Sequence, residues 1–134
     1  NSDLKKYLWT NPGESGLDQN NNPKESNGID DDNNGFVDDL HGWNFVDNNN
    51  DIQDFHGHGT HIVSIILDFL KKNGYENKIE IQIVKYYHSD QDTHNILKAS
   101  NNSFRYAQIF SPNFINYSGG GYTPSREEKQ ILEK

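Results

Sequence analysis

A histidine with glycine on both sides stands at the point where the sequence first turns strongly apolar. The segment G-H-G-T-H covers residues 57–61, and helix-forming apolar residues follow it directly. A general base must come within hydrogen-bond distance of the proton that it removes. Glycine neighbours leave room for a substrate backbone and for a second helix beside the imidazole. The pattern therefore indicates His58 as a candidate catalytic residue, and His61 is assigned a structural role.

A second group of residues suited to chemistry lies upstream, in an acidic loop. Its oxygen-bearing side chains alternate along the chain and are followed by Gly35, as at the start of a calcium-binding loop. The candidate calcium ligands are Asp30, Asp32, Asn34, Phe36 and Asp38. Position 12 of that pattern is His41 rather than an acidic residue, so Asp38 or Asp39 would complete the shell. The alternative is a solvated acidic loop without an ion.

The elements that position these residues are predicted from periodicity and capping signals. Residues 1–54 are rich in Asn, Asp and Gly and lack any period, which indicates a long loop, ordered or partly ordered, with disorder as the alternative. The elements predicted after it are a mostly buried helix from His58 to about residue 72, a strand at 79–87, a helix from Asp90 or Asp92 to about Gln108, a strand at 114–117 and a helix after Ser125. This order predicts an α/β fold with a parallel sheet flanked by helices.

Charge and composition exclude several classes of partner. The formal net charge is -8, and 12 of the 20 acidic residues lie in residues 1–54. Nucleic acids and anionic membranes require a basic surface, so neither is an expected partner, whereas cations are. No apolar run is long enough for a membrane span, no signal segment opens the chain, and cysteine is absent. Trp43 and the tyrosine pair at 86–87 are interpreted as core or surface aromatic residues.

Several of these motifs together resemble the subtilisin-like serine protease (subtilase) family. The resemblance rests on G-H-G-T-H, on the long acidic loop before it and on N-Y-S-G-G-G at residues 116–121. In that family the first histidine of H-G-T-H is catalytic, and Val63 departs from the small residue usual at its position. The resemblance implies a three-layer subtilisin-like fold, of which residues 1–134 would be an internal part of the catalytic domain. It also implies that His58 accepts the serine proton and returns it to the leaving amine.

The resemblance further implies a substrate-binding edge and a cellular setting. A peptide substrate would pair with the backbone of Ser118, Gly119 and Gly120, and glycine at position 119 would widen a pocket wall. Some family members bind calcium beside the histidine, and the corresponding oxygen-bearing residues are Asp47, Asn49, Asp51 and Asp54. The family resemblance implies a secreted or extracellular endopeptidase.

The other two triad residues are not found in their family contexts. No serine stands in a G-T-S segment, and no aspartate ends an apolar strand. The opening residues 1–4 are similar to the segment that follows the catalytic aspartate, so we expect the chain to begin just after it. The chain alone is therefore expected to be inactive and to need the remainder of the catalytic domain.

Two alternatives to a protease fragment remain from the sequence. One is a catalytically inactive subtilase-like module, either kept for binding or truncated. The other is a zinc hydrolase, because His56, His58 and His61 imitate a metallo-β-lactamase motif in which Thr60 replaces an aspartate.

Overall fold

The computed structural model describes residues 2–88, 92–119 and 125–133. Within these residues the regular structure consists of two short parallel strands, four α-helices and two 3-10 helical turns at Lys24–Ser26 and Glu76–Lys78. In chain order the elements are α1 (Ser2–Lys5), β1 (Gly42–Asn44), α2 (His58–Lys72), β2 (Ile83–Lys85), α3 (Thr93–Phe110) and α4 (Arg126–Leu132). Within the described residues, no helix combines the length and the apolar character needed to cross a membrane.

The sheet joins the segments on either side of α2. Trp43 of β1 lies opposite Val84 of β2, and the two strands run parallel with α2 as their crossover. Gly42 permits this pairing, because its φ is 137° and any Cβ there would overlap the carbonyl oxygen of Ile83. The observed helices and small parallel sheet confirm the α/β class.

The core lies between α3 and the aromatic residues around β1. Tyr106 of α3 is fully buried, and its ring centroid is 4.7 Å from that of Phe36 and 5.2 Å from that of Phe110. Phe36 also packs edge-on against Trp43 at 5.2 Å. Because tilted aromatic pairs add favourable quadrupole contacts to area burial, these rings anchor the acidic loop to α3.

The acidic loop is ordered by its own polar side chains. Asp18 accepts hydrogen bonds from the backbone N–H groups of Asn20 and Asn22, each at 2.8 Å. Left-handed backbone occurs at Asn21, Asn33, Asp38 and Asn48. Asn and Asp tolerate that conformation better than other residues with a side chain, so the composition that resembled disorder specifies turns.

The predicted helices have their expected starting residues. Asp92 caps α3 by accepting a hydrogen bond from the Asn95 N–H at 2.9 Å, and Ser125 caps α4 by accepting one from Glu128 at 3.2 Å. α2 spans His58–Lys72, as predicted. The prediction that α2 is mostly buried is wrong, because Leu67 is its buried residue while Ile65 and Phe69 are 53% and 65% exposed.

The predicted strands are less well matched. The strand predicted at 79–87 is limited to Ile83–Lys85, with an isolated parallel bridge between Leu8 and Ile81. The strand predicted at 114–117 is not formed, and Phe114 is 94% exposed. Strand formation requires a partner backbone, and among the described residues none pairs with this segment.

Candidate active site

The position of His58 is fixed by an aspartate that holds the amino end of α2. His58 is the first residue of the helix and follows Gly57, whose φ is 85°. One carboxylate oxygen of Asp54 accepts hydrogen bonds from the N–H of His56 at 3.0 Å and of Gly57 at 2.7 Å. The other oxygen accepts from the N–H and the hydroxyl of Thr60, both at 2.8 Å. The backbone is thus held on both sides of the histidine.

The charge of Asp54 is favoured by the same contacts. Burial raises the pKa of Asp54, but the hydrogen bonds from Thr60, Gly57 and His56 outweigh burial and hold the pKa below its ordinary value. A carboxylate at this end also complements the positive end of the helix dipole. The sequence suggested Asp54 as part of a second calcium cluster, whereas the structure gives it the role of a helix cap.

The imidazole of His58 faces solvent. Its ring lies 6.3 Å from the ring of His56, at an interplanar angle of 76°. No hydrogen bond or ion pair to the imidazole occurs within residues 2–88, 92–119 and 125–133. A Cβ added at Gly57 would meet nothing within 4 Å. The imidazole of His58 is thus accessible. Among the described residues, no carboxylate orients it and no hydroxyl is hydrogen-bonded to it.

The carboxyl end of β2 connects the histidine loop with the glycine-rich segment. Tyr87 follows the strand and its ring lies 6.3 Å from that of His56. The preceding Tyr86 turns to the other side and packs on Tyr117 with ring centroids 5.4 Å apart. Carboxyl ends of parallel strands are the usual location of sites in open α/β sheets. Both candidate segments therefore border one end of this strand.

The predicted substrate-binding residues lie on exposed backbone. Ser118 and Gly119 are exposed, and the Ser118 hydroxyl accepts a hydrogen bond from the side chain of Asn116 at 2.8 Å. Gly120 lies outside the described residues. A side chain at position 119 has no room, because its Cβ would overlap the hydroxyl oxygen of Tyr86. This steric contact was not expected from the sequence.

The histidines proposed as zinc ligands do not converge. Across the residues that the structure describes, one group of three or more metal-binding side chains brings its ligand atoms together, and it consists of Glu14, Asp32 and Asp39. His56, His58 and His61 are not among them. The described geometry gives the zinc alternative no ligand set.

Glu14 and Asp39 bury their charge in this cluster, where the ligand atoms lie within 4.8 Å of one another. One oxygen of Glu14 accepts a hydrogen bond from the Asp31 N–H at 2.7 Å. Its other oxygen, Oε2, is buried and has no partner among the described residues. An unpartnered buried carboxylate oxygen is costly unless a cation or a donor reaches it.

Asp39 is held by three donors. Its Oδ1 accepts from the side-chain amide of Asn11 at 2.8 Å, and its Oδ2 accepts from the hydroxyl of Tyr106 at 2.6 Å and from Asn34 at 3.1 Å. Burial raises the pKa of Asp39 above its ordinary value, and the charge of Asp32 raises it further while the hydrogen bonds lower it. Burial also raises the pKa of Glu14. Both shifts express mainly the cost of burying a charged carboxylate, with a smaller contribution from the repulsion between neighbouring carboxylates.

The five predicted calcium ligands are divided by the structure. Asp32 belongs to the carboxylate cluster, and Asn34 donates to both Asp32 and Asp39. Asp30 instead accepts from the Asn34 and Gly35 N–H groups at 3.0 and 2.8 Å. The side chain of Asp38 accepts from the Gly28 N–H at 3.1 Å, and Phe36 contributes its ring to the core. Glu14 was missed, because no local spacing links it to Asp32.

The second oxygen-rich segment closes on itself. Asn44 is fully buried and donates to the carboxylate of Asp47 at 2.9 Å and to the carbonyl oxygen of Asp51 at 3.0 Å. The side chain of Asn49 accepts from the Asp51 N–H at 3.0 Å. These side chains serve the turns of their own loop.

The chain is similar to one family of known proteins. The model of the subtilase family matches residues 13–130. The protein named Subtilisin-like protease 1 of Plasmodium berghei (strain Anka) is 47% identical over 64 residues, which is 48% of this chain and 9% of that protein. Its namesakes of Plasmodium vivax and Plasmodium falciparum (isolate 3D7) are each 56% identical over 39 residues, or 29% of this chain and 6% of theirs. The matches thus span less than a tenth of these relatives. No solved structure matches the chain.

Proposed function

Because the chain belongs to the subtilase family, we propose that it forms the histidine-bearing part of a serine endopeptidase domain with a three-layer fold. The observation that supports this role most directly is the exposed imidazole of His58 on a helix start clamped by Asp54. A general base needs a fixed backbone and an accessible ring, and His58 has both.

The proposed reaction is acyl transfer to a serine. His58 takes the proton of the attacking serine hydroxyl and later returns it to the leaving amine, while an aspartate orients the ring. The family contexts of that serine and aspartate do not occur in these 134 residues. The remainder of a catalytic domain must supply them, so the isolated chain has no peptidase activity under this proposal.

The proposed substrate is an extended peptide, and the protease itself is proposed to be secreted or extracellular. The peptide adds alongside residues 118–120 by backbone pairing. The exposure of Ser118 and Gly119 supports this binding mode, as does the lack of any ladder partner for them among the described residues.

The proposed cofactor is calcium with a structural role in the acidic loop. Carboxylate and amide oxygens are the ligands that calcium prefers. Glu14, Asp32 and Asp39 would hold the ion, because their ligand atoms already converge and Oε2 of Glu14 has no other partner. The ion would offset the mutual repulsion of three carboxylates in a partly buried site.

The protease proposal is tested with a fluorophosphonate probe on two samples. The chain alone should remain unlabelled at every serine and should cleave no peptide. A protein that contains this chain together with the triad serine and aspartate should be labelled, and His58→Ala should lower the labelling rate at least about 10⁴-fold. His61→Gln is the matched control and should leave labelling unchanged.

Two outcomes would contradict this account. Stoichiometric labelling of the isolated chain would show that it holds its own nucleophile. Unchanged labelling after His58→Ala would remove His58 from catalysis. If the longer protein binds peptides but is never labelled, the inactive binding module is the correct alternative.

The calcium proposal is tested by thermal melting with calcium and with excess chelator. At free calcium of about 100 Kd, the folded state should gain about 2.7 kcal/mol over the chelated state. Glu14→Gln should remove most of that gain. Asp30→Asn should keep it, because Asp30 bonds to the backbone of its own loop. An unchanged melting curve in chelator would contradict the site, and loss of the gain in Asp30→Asn alone would favour the ligand set predicted from spacing.

A further inference from the structure

The contact between Tyr86 and Gly119 gives the proposed peptide-binding edge an unexpected side chain. Tyr86 follows β2, and its hydroxyl oxygen occupies the space in which any Cβ of residue 119 would lie. The rest of Gly119 is exposed. The space that a side chain at position 119 would fill is therefore filled by the phenol of Tyr86, which comes from another part of the chain.

The position of this phenol is supported by a neighbouring aromatic ring. The ring of Tyr86 packs on Tyr117 at 5.4 Å, and Tyr117 in turn packs on Phe104 of α3 at 5.1 Å. The hydroxyl of Ser100 in α3 also donates a hydrogen bond to the Tyr117 hydroxyl at 3.4 Å. Such support holds the side chain in place without a substrate.

The phenol is neutral at physiological pH. Burial, followed by the charge and the hydrogen bond of Tyr117, raises the pKa of Tyr86 to about 12. A neutral phenol has one hydrogen to donate and lone pairs that accept, so its hydroxyl can hydrogen-bond to a polar side chain.

We propose that Tyr86 is a specificity-determining residue of the peptide-binding edge, occupying the place of a side chain at Gly119 and selecting peptide residues whose side chains hydrogen-bond to its hydroxyl. This inference rests on the proposed function, because it needs a peptide beside Ser118 and Gly119. The favoured class of substrate carries a hydroxyl or amide side chain opposite Gly119, and its aliphatic isostere is disfavoured. Leaving the phenol hydroxyl without a partner beneath a bound peptide costs binding energy.

The experiment measures binding of matched pentapeptides to the whole 134-residue chain. One position at a time carries Thr or its isostere Val, and the backbone amide signal of Gly119 in NMR spectra reports occupancy. At one position the Thr peptide should bind about three- to tenfold more tightly than the Val peptide, as for one net hydrogen bond. Tyr86→Phe keeps the ring, removes the hydroxyl and should abolish that preference. Tyr75→Phe, a change at the far end of α2, should retain it.

The outcomes separate this inference from the function on which it rests. If peptides shift the Gly119 signal and the Thr preference survives in Tyr86→Phe, Tyr86 does not determine specificity, while the binding edge stands. If no position shows a Thr preference, the inference is likewise wrong. If no peptide shifts the signal, the proposed binding edge fails, and the inference fails with it.

A second measurement tests the shared volume without any peptide. Gly119→Ala should lower the melting temperature, because the new methyl group overlaps the Tyr86 hydroxyl. In the Tyr86→Phe background the same substitution should cost clearly less, since the overlapping atom is gone. Equal costs in the two backgrounds would show that the residues are not coupled.

Discussion

The acidic loop and helix α2 are stabilised in opposite ways. In the loop, the buried side chains of Asn11, Asp39 and Asn44 are polar and hydrogen-bonded. In α2 the only buried residue is Leu67, while the large apolar side chain of Phe69 is exposed. The loop hydrogen-bonds most of its buried polar groups internally, with Oε2 of Glu14 and Nε1 of Trp43 as exceptions. Helix α2 instead presents an apolar surface that nothing in the described residues covers.

The proposed catalytic histidine is therefore positioned independently of the surface that covers its helix. Exposed apolar surface of this kind is typical of an interface. The clamp by Asp54, by contrast, is local and complete. The geometry at His58 is therefore set within the chain, whereas the burial of α2 is left to a partner surface, which under our proposal belongs to the remainder of the catalytic domain.

The largest loss of stability is expected when a buried polar side chain is removed from the acidic loop. Asp39→Ala deprives three donors of their acceptor, two of them in buried hydrogen bonds, and should lower the free energy of unfolding by about 3 to 5 kcal/mol. Urea unfolding in chelator measures this effect apart from any ion. Asp47→Ala removes an exposed acceptor of one bond from Asn44 and should cost less than about 1 kcal/mol. Similar costs for both variants would show that the buried hydrogen bonds of Asp39 do not stabilise the loop.

Removing Asp54, which holds the start of α2, is expected to lower the stability less than removing Asp39. Asp54→Ala removes the acceptor of four hydrogen bonds on an exposed loop and should lower the free energy of unfolding by about 1 to 2 kcal/mol. Asp68→Ala, a change of the same kind inside α2, should stay within about 0.5 kcal/mol. If the two variants unfold alike, Asp54 does not hold the start of the helix.

The contribution of Asp54 should also depend on pH. Its pKa in the folded state lies below the ordinary value of 3.8, so the charged form is favoured by folding. The stabilisation is therefore complete above pH 3.8 and is lost as the pH falls through the lower folded-state pKa. The difference in stability between the wild type and Asp54→Ala should shrink as unfolding is measured at successively lower pH. A difference that stays constant down to about pH 2 would contradict the shift.

The smallest change in stability is expected from a substitution on the exposed apolar face of α2. Phe69→Ser replaces an exposed ring and should change the stability of this chain by no more than about 0.5 kcal/mol. Leu67→Ala, two residues away and buried, should cost about 2 to 5 kcal/mol. In a protein whose remaining domain covers α2, Phe69→Ser should become strongly destabilising. No such increase would show that this face is not an interface.

Local signals in the sequence predicted their elements well. The start of α2 at His58 and the caps Asp92 and Ser125 depend on residues within one helical turn, which a single sequence displays. The strand expected at 114–117 depends on a partner backbone, which local composition does not specify. The same limit explains why the carboxylate cluster was predicted only in part.

The features that the sequence did not predict depend on contacts between residues that are distant in the chain. Glu14 and Asp39 meet although 25 positions separate them in the sequence, and Tyr106 reaches Asp39 from α3. The space taken by Tyr86 at Gly119 is equally non-local. Each of these contacts depends on the tertiary packing of the chain, about which the periodicity of the sequence carries no information.

The clamp at α2 has a practical consequence for trapping complexes. Asp54 binds backbone groups and Thr60, and none of its bonds involves the imidazole. Under our proposal, removing the imidazole should therefore abolish catalysis while the surrounding backbone keeps its shape. In a protein with the complete domain, a His58→Ala variant would serve as a bait that retains uncleaved peptides long enough to be recovered and sequenced.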